Sequence, residues 1–172
     1  MKVLIPVQDG VFGDAIIEMI TNHKWPVDTQ FKLFNVVEYT TYGEMIGEMH
    51  CCDSTQKVYA ERETMAKELL DQYSRQIDFA LPGAFVQQKI QCGIPKEMIL
   101  DEAEAWGADM IVMGSHARKG LSRFLLGSVS MAVLSQAPCS VVIVKLPGQK
   151  PAAAGTRTEH ETKVEAGVRA SA

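Results

Sequence analysis

The chain has 172 residues, 47% of them hydrophobic and 22% charged, which is enough to bury the core of one compact domain and excludes disorder throughout. A net charge of -4 and a pI of about 5.6 argue against a general nucleic-acid binder, which would carry a basic stripe. No apolar run approaches the roughly eighteen residues of a membrane span; Val3, Leu4 and Ile5 are too few for a signal peptide and are broken by Pro6, so a cytoplasmic protein is expected.

Lys2 to Val7 reads as a first buried strand. Ile16, Met19 and Ile20 then share one helical face, and Pro26 stops that pattern. Phe31 to Val37, aromatic and β-branched, is a second strand. Thr40 to Gln56 is polar, contains Gly43 and Gly47 and is dotted with methionines, so it reads as a long loop, either a lid or a partner surface. His50, Cys51, Cys52 and Asp53 gather there; the set would suit a soft metal, although an exposed loop is the simpler reading. The four cysteines form neither a CxxC pair nor a zinc spacing, so free thiols are expected, with Cys92 and Cys139 acting as small core hydrophobes beside apolar strands.

From Val58 to Leu81, the positions Val58, Met65, Leu69, Tyr73, Ile77 and Ala80 trace one face of a long amphipathic helix ended by Pro82-Gly83. Phe85 to Gln91 alternates in the manner of an edge strand. Pro95 opens a third helix with Ile99, Ala103 and Trp106 on one face, Trp106 as a core anchor, and Gly107 as its stop. Asp109 to Met113 is a short buried strand, Val129, Ala132 and Val133 begin a fourth helix, and Ser140 to Lys145 follows Pro138 as a fifth strand. Strands alternating with helices require right-handed crossovers, so the expected fold is a single doubly wound, five-stranded parallel sheet with helices on both faces, a Rossmann-like α/β architecture. From Pro147 to Ala172 the chain has no aromatic residue, leucine or isoleucine and cannot offset its ordering entropy by burial, so residues 1–146 are expected to form the domain and 147–172 a flexible tail.

The chemistry concentrates after the fourth strand. Gly114, Ser115, His116 and Ala117 leave the strand, and Gly127-Ser128 opens the next helix after nine further residues. In open α/β sheets ligands bind at this carboxyl edge, where backbone N–H groups and a positive helix end face an anion. Glycine at 114 and 127 allows close backbone approach, Ser128 offers a capping hydroxyl, and Ser130 lies on the first helical turn. Arg118, Lys119 and Arg123 add positive charge near Gly120, and His116 can donate when protonated. Plain turn chemistry and a solvated charged loop explain each of these features equally well when taken singly.

The segment from Asp109 to Lys145, DMIVMGSHARKGLSRFLLGSVSMAVLSQAPCSVVIVK, resembles the C-terminal half of the universal stress protein family. MKVLIPVQDG and FKLFNVVE resemble its first two strands, so the resemblance spans about residues 2–146. It implies sheet order 3-2-1-4-5 and binding of ATP or another adenine nucleotide, with magnesium as a companion ion. ATP-binding members carry Gly-x-x-Gly-x9-Gly-Ser/Thr; this chain keeps Gly114, Gly127 and Ser128 but has Ala117 at the second glycine, where a Cβ costs about 1 kcal/mol if positive φ is required. Where family members usually have an aspartate after Pro-Val, near the ribose and adenine, this chain has Gln8, with Asp9 one place later; either a small backbone shift delivers Asp9 or Gln8 serves the ribose as neutral donor and acceptor. Val36 matches the residue whose backbone meets the adenine edge, although core packing alone would explain Pro6, Val7 and Val36.

The implied nucleotide-binding set is Pro6, Val7, Gln8, Asp9, Val36, Met113, Gly114, Ser115, His116, Ala117, Arg118, Lys119, Gly120, Gly127, Ser128, Val129 and Ser130. The sequence has no Ser-His-Asp set, no positioned general base and no Walker lysine, which favours a stress-response nucleotide sensor over an enzyme. Two alternatives stay open: a slow ATPase using Asp9 for a metal ion, and a family member without nucleotide that acts through dimerisation and partner contacts. Ser140 to Val144 would be a hydrophobic edge strand, so a homodimer through that edge is expected, with a signalling partner of unknown identity.

Overall fold

The computed structural model describes residues 1–38, 53–115 and 126–146. Among the described residues five strands form one sheet: β1 (Lys2–Pro6), β2 (Gln30–Glu38), β3 (Phe85–Gly93), β4 (Met110–Gly114) and β5 (Ser140–Val144). Four described helices flank the sheet, α1 (Gly10–Asn22) and α2 (Asp53–Ala80) as a first layer on one face, α3 (Pro95–Trp106) and α4 (Ser128–Gln136) as a second on the other. All strand pairings are parallel and the order is β3-β2-β1-β4-β5, as expected. β1 and β4 are therefore adjacent strands whose chains continue to opposite sides of the sheet.

Alternation along the strands sorts the core into two clusters. Val3, Ile5, Val7, Phe31, Leu33 and Val112 face α1 and α2, packing on Ile16, Ile17, Ile20, Leu70, Tyr73 and Ile77. Leu4, Phe34, Val36, Ile111 and Met113 face α3 and α4, packing on Ile99, Ala103 and Val133. α1 begins where the Asp9 side chain accepts the Phe12 N–H, and α3 ends where Gly107, at φ 66°, returns its N–H to Ala103 and Glu104.

Two expectations are corrected and a third is refined. The long helix begins at Asp53 rather than near Val58, because residues 53–57, Asp-Ser-Thr-Gln-Lys, carry no apolar period to announce it. Cys92 is exposed on the outer strand β3 and is not a core hydrophobe, whereas Cys139 is half-buried against the second cluster. Trp106 also packs on that cluster, but it is half-buried and lies under two cations, with the Lys32 and Lys2 ammonium groups 4.3 and 5.6 Å from its ring centre. Most of the segment read as a loop and the whole expected tail, residues 147–172, lie outside the described residues.

One ionic cluster crosses the second layer. Glu102 of α3, 6% exposed, accepts Lys32 Nζ of β2 at 2.7 Å and also pairs with Lys89 of β3. Because Ile99 and Glu102 stand on one face of α3, these contacts fix how the helix sits on the sheet.

Candidate functional site

A cavity of about 560 Å³ opens at the carboxyl ends of β1, β2 and β4. β1 and its exit contribute Pro6, Val7, Gln8 and Asp9; β2 contributes Phe34, Val36 and Glu38; β4 contributes Met113 and Gly114. Three helices meet it near their N-termini: α1 through Phe12, Gly13 and Ile16, α3 through Pro95 and Ile99, and α4 through Ser128, Val129 and Ser130, with Leu126 and Gly127 before it. A helix N-terminus carries partial positive charge and unsatisfied N–H groups. At α3 and α4 no side chain caps them, whereas at α1 the Asp9 carboxylate does.

The walls are held by specific bonds. Val7 donates its N–H to Phe34 O at 2.8 Å and accepts from Asn35 Nδ2 at 2.7 Å, so the end of β1 is tied to β2. Ser130 Oγ donates to Gly114 O at 2.8 Å and ties the start of α4 to the end of β4. Ser115 is buried beside the cavity rather than lining it, with its N–H donated to Val144 O at 3.0 Å. Gly114 packs closely against Phe12: a Cβ on the glycine would stand 2.6 Å from Phe12 Cδ1.

Eleven of the residues singled out from sequence share this one cavity: Pro6, Val7, Gln8, Asp9, Val36, Met113, Gly114, Gly127, Ser128, Val129 and Ser130. His116, Ala117, Arg118, Lys119 and Gly120 lie outside the described residues. Ser128 does not cap α4; Gly127 is the cap residue, with φ -58° and ψ 154°, and Ser128 is the first helical residue. Asp9 is turned toward the start of α1, its Oδ1 3.0 Å from Phe12 N. Sequence reading missed Phe12, Gly13, Ile16, Phe34, Glu38, Pro95 and Ile99, which enter from elements without a motif, and Leu126, an unspecified position within the glycine spacing. Period-two alternation continued past Val36 is the signal that could have found Glu38.

Apolar walls that converge on helix N-termini suit a ligand with an apolar part and an anionic part. The residues present fit an adenine nucleotide. They make a weaker case for a dedicated metal centre: among the described residues, no three His, Cys, Asp or Glu side chains are grouped to hold an ion.

The profile of the Universal stress protein family matches residues 49–145. Universal stress protein A homolog 2 of Coxiella burnetii is 34% identical over 122 residues, covering 70% of this chain and 77% of that protein. Among solved structures, the hypothetical protein MJ0577 superposes with a TM-score of 0.71 at 25% identity, over 86% of this chain and 96% of that one. A universal stress protein family protein from Arabidopsis thaliana, solved with AMP bound, has a TM-score of 0.57 at 19% identity, over 88% of this chain and 97% of that one.

Proposed function

The chain belongs to the universal stress protein family, and from that premise we propose that it is an adenine-nucleotide-binding signalling module of the stress response, with ATP as ligand and magnesium as its companion. The observation that carries the reading is the single cavity joining Val36 to Gly114, Gly127 and Ser128 across β1. In this reading the base lies against Val36, Ile99 and Met113, the ribose above Gln8, and the phosphates before the uncapped start of α4. His116, Arg118 and Lys119 would add cationic donors to the phosphates. The Arabidopsis thaliana fold-mate with AMP bound supports the ligand class.

The chain supplies binding and orientation. Magnesium, when bound, would neutralise phosphate charge. Ser130 holds the end of β4 against α4, and Asn35 keeps the end of β1 from moving off β2. A partner that prefers the nucleotide-bound chain would sense occupancy through its difference in affinity for the two states.

Titration calorimetry of nucleotide-stripped protein with ATP and magnesium is the direct test, with saturable binding expected. Gly127 has a backbone conformation open to any L-residue. A Gly127→Val chain should therefore fold and lose ATP affinity by tenfold or more, roughly the effect of one blocked phosphate contact. Unchanged affinity would remove Gly127 from the site. A second reading, a family member acting through dimer and partner contacts without nucleotide, is favoured by the Asp9 carboxylate serving as the α1 cap. It would gain from a natural chain that binds no ATP beside an Ala117→Gly chain that does.

A further inference from the structure

Among the described residues two carboxylates line the cavity, and they stand in different places. Asp9 is half-buried, with Oδ1 accepting the Phe12 N–H. Glu38 is the exposed last residue of β2, two positions beyond Val36 and thus on the same strand face, with its main-chain oxygen anchored by Arg62 Nη1 of α2 at 3.3 Å. Gln8, at the end of the intervening β1, presents a neutral amide on the exposed rim.

We propose that Glu38 reads the ribose hydroxyls of the bound nucleotide, so that the site selects ribonucleotides over their deoxy counterparts. This rests on the nucleotide reading given above. A carboxylate accepts hydrogen bonds and donates none, so at a ligand site it selects groups with hydrogens to give. A ribose 2′,3′-diol presents two adjacent hydroxyl donors that match the two oxygens of one carboxylate. Strand order places β2 two strand spacings from β4, about 10 Å across the sheet, within the reach of a nucleoside whose phosphates sit before α4. Val36 lies deeper and faces the base; Glu38 stands further out at the rim, where the sugar edge meets solvent. In dinucleotide-binding sheets an acidic side chain about 20 residues after the phosphate turn likewise accepts from a ribose hydroxyl, there with the phosphates on the adjacent strand.

The test compares ATP, 2′-deoxy-ATP and 3′-deoxy-ATP by calorimetry on the full chain and on Glu38→Ala and Glu38→Gln. The unaltered chain should favour ATP over each deoxy nucleotide by about tenfold or more, the range of a hydrogen bond to a charged group. In Glu38→Ala that preference should collapse to below about threefold because ATP affinity falls while deoxy affinity holds. Glu38→Gln, which keeps one acceptor oxygen, should lie between. Glu38 is exposed, and thermal melting should show all three chains equally folded. Equal binding of ATP and its deoxy forms by the unaltered chain, or a preference that survives Glu38→Ala, would overturn the assignment while leaving the nucleotide reading intact. Failure of the unaltered chain to bind any of the three overturns both.

Discussion

A methyl group at position 114 would stand 2.6 Å from Cδ1 of Phe12 and 2.8 Å from its Cβ and Cγ, so packing alone demands glycine there. Gly114→Ala should lower stability by about 1–3 kcal/mol in denaturant unfolding, the cost of overfilling a packed contact. Combining it with Phe12→Ala should cost less than the two single changes added, since the second removes the obstacle; simple additivity would clear the ring of blame. Gly13 is tighter, because a Cβ there would stand 2.3 Å from the Tyr73 hydroxyl, on a ring that is fully buried and donates to Asp14 at 2.9 Å. Gly13→Ala should therefore destabilise more than Gly114→Ala. The glycine at 114 was legible as part of a phosphate pattern, yet its immediate neighbour in space is an aromatic ring 102 positions earlier that no local reading connects to it.

Helix α3 shows how an element is fixed by groups that a sequence reading treats as surface. Lys32 sits in a run of buried apolar residues and Glu102 in a helix rich in acids; 70 positions separate them, so neither betrays its partner. Burial pulls the Glu102 carboxyl upward, but hydrogen bonds from Lys32 and Lys89 outweigh it and hold the group below the usual carboxylate range. A folded value below the unfolded one means that the contribution is complete at neutral pH. It is lost as the pH falls below about 4, through the unfolded value and on through the depressed folded one. Glu102→Gln should be less stable at pH 7 by about 3–5 kcal/mol, leaving two lysines without their acid. It should also show a shallower decline in stability on acidification when unfolding is followed across the acid range. An unchanged acid limb would mean that the cluster does not govern acid stability. The helices and strands themselves were legible where apolar periodicity was strong, as at Ile16–Ile20 and Phe31–Val37, and obscure where it was absent, as at the polar start of α2.

At the scale of the molecule, the sheet has two outer strands of different character. β3 exposes Gln88 and Lys89 together with Phe85 and Cys92, whereas β5 keeps Val141 to Val144 half-exposed, and beside it Met131 and Leu134 of α4 are 46% and 45% exposed. Pairing of two β5 edges in a homodimer would cover that strip; light scattering at micromolar concentration should give twice the chain mass, and a monomer mass would count against it. Strand order was legible through resemblance alone, because periodicity identifies strands without saying which lie side by side. The cavity was legible in the residues that a motif names and hidden in those that merely arrive at the same place, such as Pro95 and Glu38. The two tryptophans of the chain fall one on each side of the sheet, Trp25 against Phe31 in the first layer and Trp106 beneath its lysines in the second. The fold thus carries its own pair of fluorescent reporters: with Trp25→Phe or Trp106→Phe, emission from the remaining indole follows one layer at a time. Loosening of α3 beside the cavity could then be watched separately from melting of the opposite face.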